Sequence, residues 1–164
     1  MEPPLDLVAE ARRQWRAHGW LGPDRGMAVV ISLMRAQQIV LGRLEDVVRP
    51  FGLSYARYEV LMLLCFSRRG SLPLARIGER LQVHPASVTG AVAKLEAQGL
   101  LVREPHPADR RAVVARITDE GRRIADAATA ALNAGPFDDV GLSDGAAEQL
   151  VEVIGELRRS AGDF

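Results

Sequence analysis

The stretch from Ser71 to Thr118 constrains this chain more than any other part of it. Leu74-Ala75-Arg76-Ile77-Gly78-Glu79-Arg80-Leu81 sets apolar residues at helical spacing on a short amphipathic helix. A tight turn, Gln82-Val83-His84, leads into a second helix starting at Pro85, where a missing N–H matters little because first-turn donors have no helical partner. Gly99 closes that helix, and Leu100 stands where an apolar residue packs back onto a Schellman-type end. Two short strands are predicted next, Leu101–Glu104 and Ala112–Ile117. Between them lies a Pro- and charge-rich hairpin tip, Pro105-His106-Pro107-Ala108-Asp109-Arg110-Arg111. Helix, turn, helix and basic hairpin describe a winged helix-turn-helix, a DNA-reading unit.

The second helix can be phased. Val88, Ala91, Val92 and Leu95 fall on one stripe and face the predicted core. The opposite face centres on Ala86, Gly90, Ala93 and Ala97, flanked by Ser87, Thr89 and Lys94. Small residues with a few hydroxyls let a helix sit deep in a major groove. Lys94 and the helix N-terminus suit phosphate. The same face also fits an ordinary solvated helix, where Ala and Gly are common. Arg110 and Arg111 at an exposed tip, with Asp109 able to orient one guanidinium, suit a narrow minor groove; a solvated charged turn is the alternative.

The ordered motifs Leu81-Gln82-Val83-His84-Pro85-Ala86-Ser87-Val88-Thr89, Lys94-Leu95-Glu96-Ala97-Gln98-Gly99-Leu100, Asp109-Arg110-Arg111 and Ile117-Thr118-Asp119-Glu120-Gly121 resemble the MarR family of bacterial transcription regulators. The resemblance runs over roughly Met27 to Phe164. It implies a homodimer with interleaved terminal helices, double-stranded DNA as partner, and a pseudo-palindromic operator. It also implies repression released by a small, often aromatic, acid bound between dimer and DNA-binding regions. In that family a wing Asp-x-Arg puts its arginine in the minor groove; here those positions are Asp109 and Arg111. His84 stands where a Ser-like cap is usual, and as a poorer cap it is expected at the DNA instead. The expected DNA contacts are His84, Pro85, Ala86, Ser87, Thr89, Gly90, Lys94, Asp109, Arg110 and Arg111.

Leu5–Trp20 is predicted as an amphipathic helix with both tryptophans, ended by Gly19-Trp20-Leu21-Gly22-Pro23-Asp24. It either covers a hydrophobic groove or lends Trp15 or Trp20 to a ligand-pocket wall or a dimer contact. Such a Trp helix with a Pro-Asp break is similar to the urate-responsive branch of MarR proteins. That branch also uses an Asp in the next-but-one helix and an Arg just before the first helix of the reading unit. Glu59 and Ser71 occupy those places here, so a urate function is not supported. The candidate effector residues are Trp15, Trp20, Arg57 and Tyr58.

Met27 to Phe51 reads as a long helix with Met27, Val30, Ile31, Met34, Gln38, Leu41, Leu44, Val48 and Phe51 on one stripe. Ser54 caps a central helix, Tyr55 to about Ser67, apolar on most sides through Val60, Leu61, Leu63, Leu64 and Phe66. Cys65 within it reads as a buried structural thiol; with Arg68 and Arg69 close by, a thiol-based redox switch is the alternative. Thr118 caps a helix to about Ala134, and Ser143 caps a last one, Asp144 to about Ser160, with Leu150, Val151, Ile154 and Leu157 as its stripe. The expected fold is mainly α with a small β-wing: extension 1–26, dimerisation helix 27–53, winged helix-turn-helix 54–118 and C-terminal dimerisation helices 119–164.

Net charge is zero but unevenly spread: +3 over 1–75, +3 over 76–123 and −6 over 124–164. An acidic tail thus masks a basic front adequate for a few phosphate contacts. One cysteine excludes an internal disulfide and points to the cytoplasm. Met1-Glu2-Pro3-Pro4 lacks a basic leader, and Val60–Phe66, the longest apolar run, is too short to span a membrane. His18, His84 and His106 lack metal-ligand spacing, and His106 with Asp109 makes half a site at most. No Walker loop, nucleophile elbow or G-x-G-x-x-G is present, so neither enzyme nor cofactor is expected. A winged-helix module that binds protein instead of DNA remains the other class.

Overall fold

The structure, a computed structural model, describes residues 5–20, 22, 24–106 and 109–164, with the backbone alone at 109–111. The chain forms two compact units, 1–43 and 44–164.

In the first unit, helix α1 (Leu7–Ala17) starts where Asp6 accepts hydrogen bonds from the Val8 and Ala9 N–H groups. It ends three residues before the expected Trp20, with Gly19 at φ +65°. Helix α2 (Asp24–Val48) begins three residues before Met27, and Asp24 in its first turn explains why. A carboxylate there favours the positive helix end, and it also accepts from Arg16 Nε at 2.9 Å and Arg12 Nε at 3.3 Å on α1. Those guanidiniums, Arg16 foremost, hold Asp24 below the usual carboxylate range. Val29, Val30 and Met34 along α2 are exposed. With the 3-10 turn Arg49–Phe51 that follows, α2 has the length and mean composition of a membrane-crossing helix, although its apolar residues are interrupted by polar ones and Val60–Phe66 remains the longest unbroken apolar run.

The second unit is built around helix α3 (Tyr55–Phe66), capped by Ser54 as expected. Val60, Leu61 and Leu64 are buried in a core that also receives Leu44 and Val48 from the end of α2. Phe66 is not part of it: the ring is 75% exposed, because it ends the helix on the side away from that core. Strand β1 (Ser71–Pro73), α4 (Leu74–Leu81), α5 (Pro85–Ala97), β2 (Leu101–His106) and β3 (Asp109–Ile117) follow. The sheet is antiparallel in the order β1-β3-β2. Only two strands were expected; β1 escapes prediction because three residues show no alternation, and Ser71↔Arg116 pairing is what makes them a strand.

The wing strands are also longer than expected, so the tip does not begin at Pro105. Pro105 opposes Val113 while His106 opposes Asp109, leaving residues 110–112 in a register irregularity. Proline has no N–H for a ladder and is tolerated on an edge strand beside a bulge, where β2 places it. Asp109, Arg110 and Arg111 therefore have strand backbone; Pro107 and Ala108 lie outside the described residues.

Helix α6 (Asp119–Asn133) buries Ala125, Ala128 and Leu132 and is capped by Thr118, whose Oγ1 accepts from Gly121 N–H at 3.0 Å. Helix α7 (Asp144–Ser160) has no buried residue, with Leu150, Val151 and Leu157 exposed; Ser143 precedes it without a side-chain cap bond.

Candidate nucleic-acid interface

The reading unit is α4, the turn and α5. Gln82 ends α4 in the left-handed region (φ +53°), and Val83 N–H donates to the Gly78 carbonyl at 3.1 Å. A Cβ on Gly78 would meet the Val83 carbonyl and Val88 Cγ2 at 3.4 Å, ordinary van der Waals contact, so the turn packs closely against this face of α4. His84 does cap α5, contrary to expectation: its Nδ1 accepts from Ala86 N–H at 3.2 Å. A neutral ring accepting at Nδ1 carries its proton on Nε2, which is then the donor. At the other end Leu100 N–H bonds to the Leu95 carbonyl and Gly99 N–H to that of Glu96, the two bonds of a Schellman end.

The phase of α5 is as read from the sequence. Val88, Val92 and Leu95 are buried, while His84, Pro85, Ala86, Ser87, Thr89, Gly90 and Lys94 are exposed. Thr89 Oγ1 donates to the Pro85 carbonyl at 3.0 Å, which leaves it as an acceptor. Ser87 has no side-chain partner among the described residues and is free to donate or accept.

Two wing arginines are held by carboxylates. Arg103 donates from Nε to Glu96 Oε2 at 2.7 Å, and its N–H to Oε1 at 3.1 Å. Arg116 donates from Nε to Glu104 Oε1 at 3.0 Å. Hydrogen bonds from these guanidiniums lower the pKa of Glu96 and Glu104. The side chains of Asp109, Arg110 and Arg111 lie outside the described residues.

The four candidate effector residues are divided between the two units. In the first unit Trp15 and Trp20 pack edge to face at 4.8 Å, and Trp15 Nε1 is buried without a hydrogen-bond partner among the described residues. In the second, Arg57 turns to Gln98 Oε1 at 3.2 Å, while Tyr58 bonds Thr129 Oγ1 at 2.9 Å and lines a pocket of about 250 Å³. Tyr55, Glu59, Met62, Leu63, Phe66, Leu81 and Phe137 complete its lining. Glu59, Met62 and Phe66 recur with Tyr55 and Tyr58 at helical spacing. That signal was in the sequence, but an apolar stripe on a central helix reads as core. Cys65 is half-buried rather than buried, and burial pushes its thiol pKa up despite Arg122, so the thiolate a redox switch needs is disfavoured. Among the described residues no group of three His, Cys, Asp or Glu is placed to hold a metal.

A helix-turn-helix with an open, small-residue reading face and a β-wing defines the class of DNA-binding transcription regulators. The MarR family model matches residues 53–113. A regulator from Streptomyces coelicolor, Sco5413, is 45% identical, with a TM-score of 0.79 over 85% of this chain and 97% of its own. The regulator MhqR of Bacillus subtilis is 33% identical over 60% of this chain and 66% of its own length. Sco3205 of Streptomyces coelicolor, solved in complex with DNA, is 25% identical with a TM-score of 0.71, over 86% of this chain and 90% of its own. CouR of Rhodococcus jostii RHA1, solved with p-coumaroyl-CoA, is 29% identical with a TM-score of 0.66, over 79% of this chain and 90% of its own. The chain belongs to the MarR family.

Proposed function

We propose that the protein is a cytoplasmic, homodimeric, ligand-responsive repressor of a pseudo-palindromic operator. The observation that carries this is the division of α5: one face buried, the other exposed and made of small residues with Ser87, Thr89 and Lys94. Each protomer lays α5 in a major groove, with His84, Pro85, Ala86 and Gly90 in close approach, Ser87 and Thr89 at base edges and Lys94 on phosphate. Arg111 enters the flanking minor groove, with Asp109 and Arg110 beside it. Two-fold symmetry sets half-sites about one helical turn apart. Exposed apolar residues on α2 and α7 support a dimer, since a second copy would cover them. Residues 27–53 and 119–164 are its dimerisation segments, 54–118 its reading domain and 1–26 an extension. The ligand-bound CouR structure supports a small-molecule effector.

The test is binding of the purified protein to duplex from its own upstream region against a scrambled duplex, at several salt concentrations. Selective binding with a steep salt slope is expected. Equal, weak binding to the upstream and scrambled duplexes would overturn the proposal in favour of a wing module that binds protein.

A further inference from the structure

Resting on the ligand-responsive reading, the pocket beside α3 specifies what its ligand must be. Its volume of about 250 Å³ lies between the ~150 Å³ of a cavity that takes one benzene ring and the ~300 Å³ at which drug-sized sites begin. One ring or two fused rings fill it. Tyr55, Tyr58, Phe66 and Phe137 offer ring surfaces and Met62 a thioether, a lining suited to an aromatic plane. Tyr55 and Tyr58 lie 5.7 Å apart, and Thr129 fixes the Tyr58 hydroxyl. Phe66 and Phe137 stay half or more exposed at its rim, and no described residue covers them.

The charge of the lining is one-sided. Among the described lining residues Glu59 is the single carboxyl, and no lysine, arginine or histidine joins it. Among the described residues that carboxylate has no hydrogen-bond or ion-pair partner, though it is half-buried. Burial raises its pKa, the mark of an anion short of donors. Arg57, the one cation among the candidate effector residues, donates to Gln98 and Ser54 instead.

We infer that this pocket binds a one- or two-ring aromatic molecule that carries a hydrogen-bond donor and no negative charge, with Glu59 accepting from that donor. An aromatic acid would set a second carboxylate beside Glu59 in an apolar site with no cation to offset it. The acid implied by family resemblance is therefore the wrong class for this site. Leu81, the last residue of α4, is part of the wall, so a bound ring presses on the turn that carries α5.

Three probes of one shape test this by calorimetry on the full chain near neutral pH: 2-naphthol, 2-naphthylmethylammonium and 2-naphthoate. The naphthol and the ammonium should bind, and the naphthoate about ten-fold or more weaker. Glu59→Gln should bring naphthoate to within about three-fold of naphthol, with circular dichroism showing the variant folded. Arg57→Gln should leave the wild-type ranking as it is. Naphthoate binding wild type as tightly as naphthol, a ranking that survives Glu59→Gln, or binding of none of the three would each overturn the inference. Operator binding without probes is measured in parallel. If it is selective while no probe binds, only the pocket is lost; if it is unselective, the repressor reading fails while the ligand ranking stands on its own.

Discussion

Glu96 on α5 and Arg103 on β2 tie the recognition helix to the wing. Both carboxylate oxygens are engaged, one by the Arg103 guanidinium at 2.7 Å and one by its backbone N–H at 3.1 Å. Two hydrogen bonds to one carboxylate limit how the wing can swing against α5, and the two must reach adjacent grooves together. An exposed pair of this kind adds little to stability, so its value is geometric.

Glu96→Gln should therefore leave the melting temperature nearly unchanged and weaken operator binding several-fold. Paired thermal melts and duplex titrations read both quantities. A fall in melting temperature that accounts for the whole affinity loss would sink the geometric role.

Lys94 and Ser87 should separate two kinds of contact. Lys94→Ala is expected to weaken binding evenly across sequences and to reduce the slope of log K against log salt by about 0.9, one phosphate contact. Ser87→Ala should leave that slope alone and relax preference at one base position by about 1–3 kcal/mol. A binding-site selection at two salt concentrations measures both.

Gly121 sits in the first turn of α6 directly under the Leu100 carbonyl. A Cβ there would lie 2.0 Å from that oxygen and 2.9 Å from Ile117 Cγ1. The obstacle is backbone, also held by Thr118 N–H at 3.1 Å, so it cannot rotate away. Gly121→Ala should cost about 1–3 kcal/mol or more by overpacking, although alanine is the better helix former. Urea denaturation would show it; a gain in stability would contradict this packing.

The raised pKa of Glu59 has a sign that stability must follow. The folded protein holds the Glu59 proton to higher pH than the unfolded chain, so this group favours folding most at low pH. Its contribution falls as pH rises from near the ordinary 4.5 through the folded value. Glu59→Gln should thus match wild type at low pH and be more stable at neutral pH. Melting curves taken across that range check it, and a variant less stable at neutral pH would show Glu59 to have a favourable partner.

The reading unit was legible residue by residue. The bounds of α4, the start of α5 at Pro85, the Gly99–Leu100 end and the Ser54 and Thr118 caps all depend on groups within one helical turn of each other. The buried stripe Val88, Val92 and Leu95 follows from period alone. His84 shows where residue type misleads: a poor cap on average still caps when its ring reaches one N–H.

Sequence by itself thus determined the helix-turn-helix and which face of α5 is left open, because both rest on short-range geometry. Tertiary structure alone decided that Ser71–Pro73 is a strand, that the wing strands run to His106 and from Asp109, and that Phe66 is exposed. It also decided that Arg57 turns to Gln98 while Glu59, in an aromatic pocket, has no hydrogen-bond or ion-pair partner among the described residues. Two of those outcomes depend on partners 40 or so residues away, as Ser71 is from Arg116 and Arg57 from Gln98. No local rule specifies such a partner; packing selects it once the helices are in place.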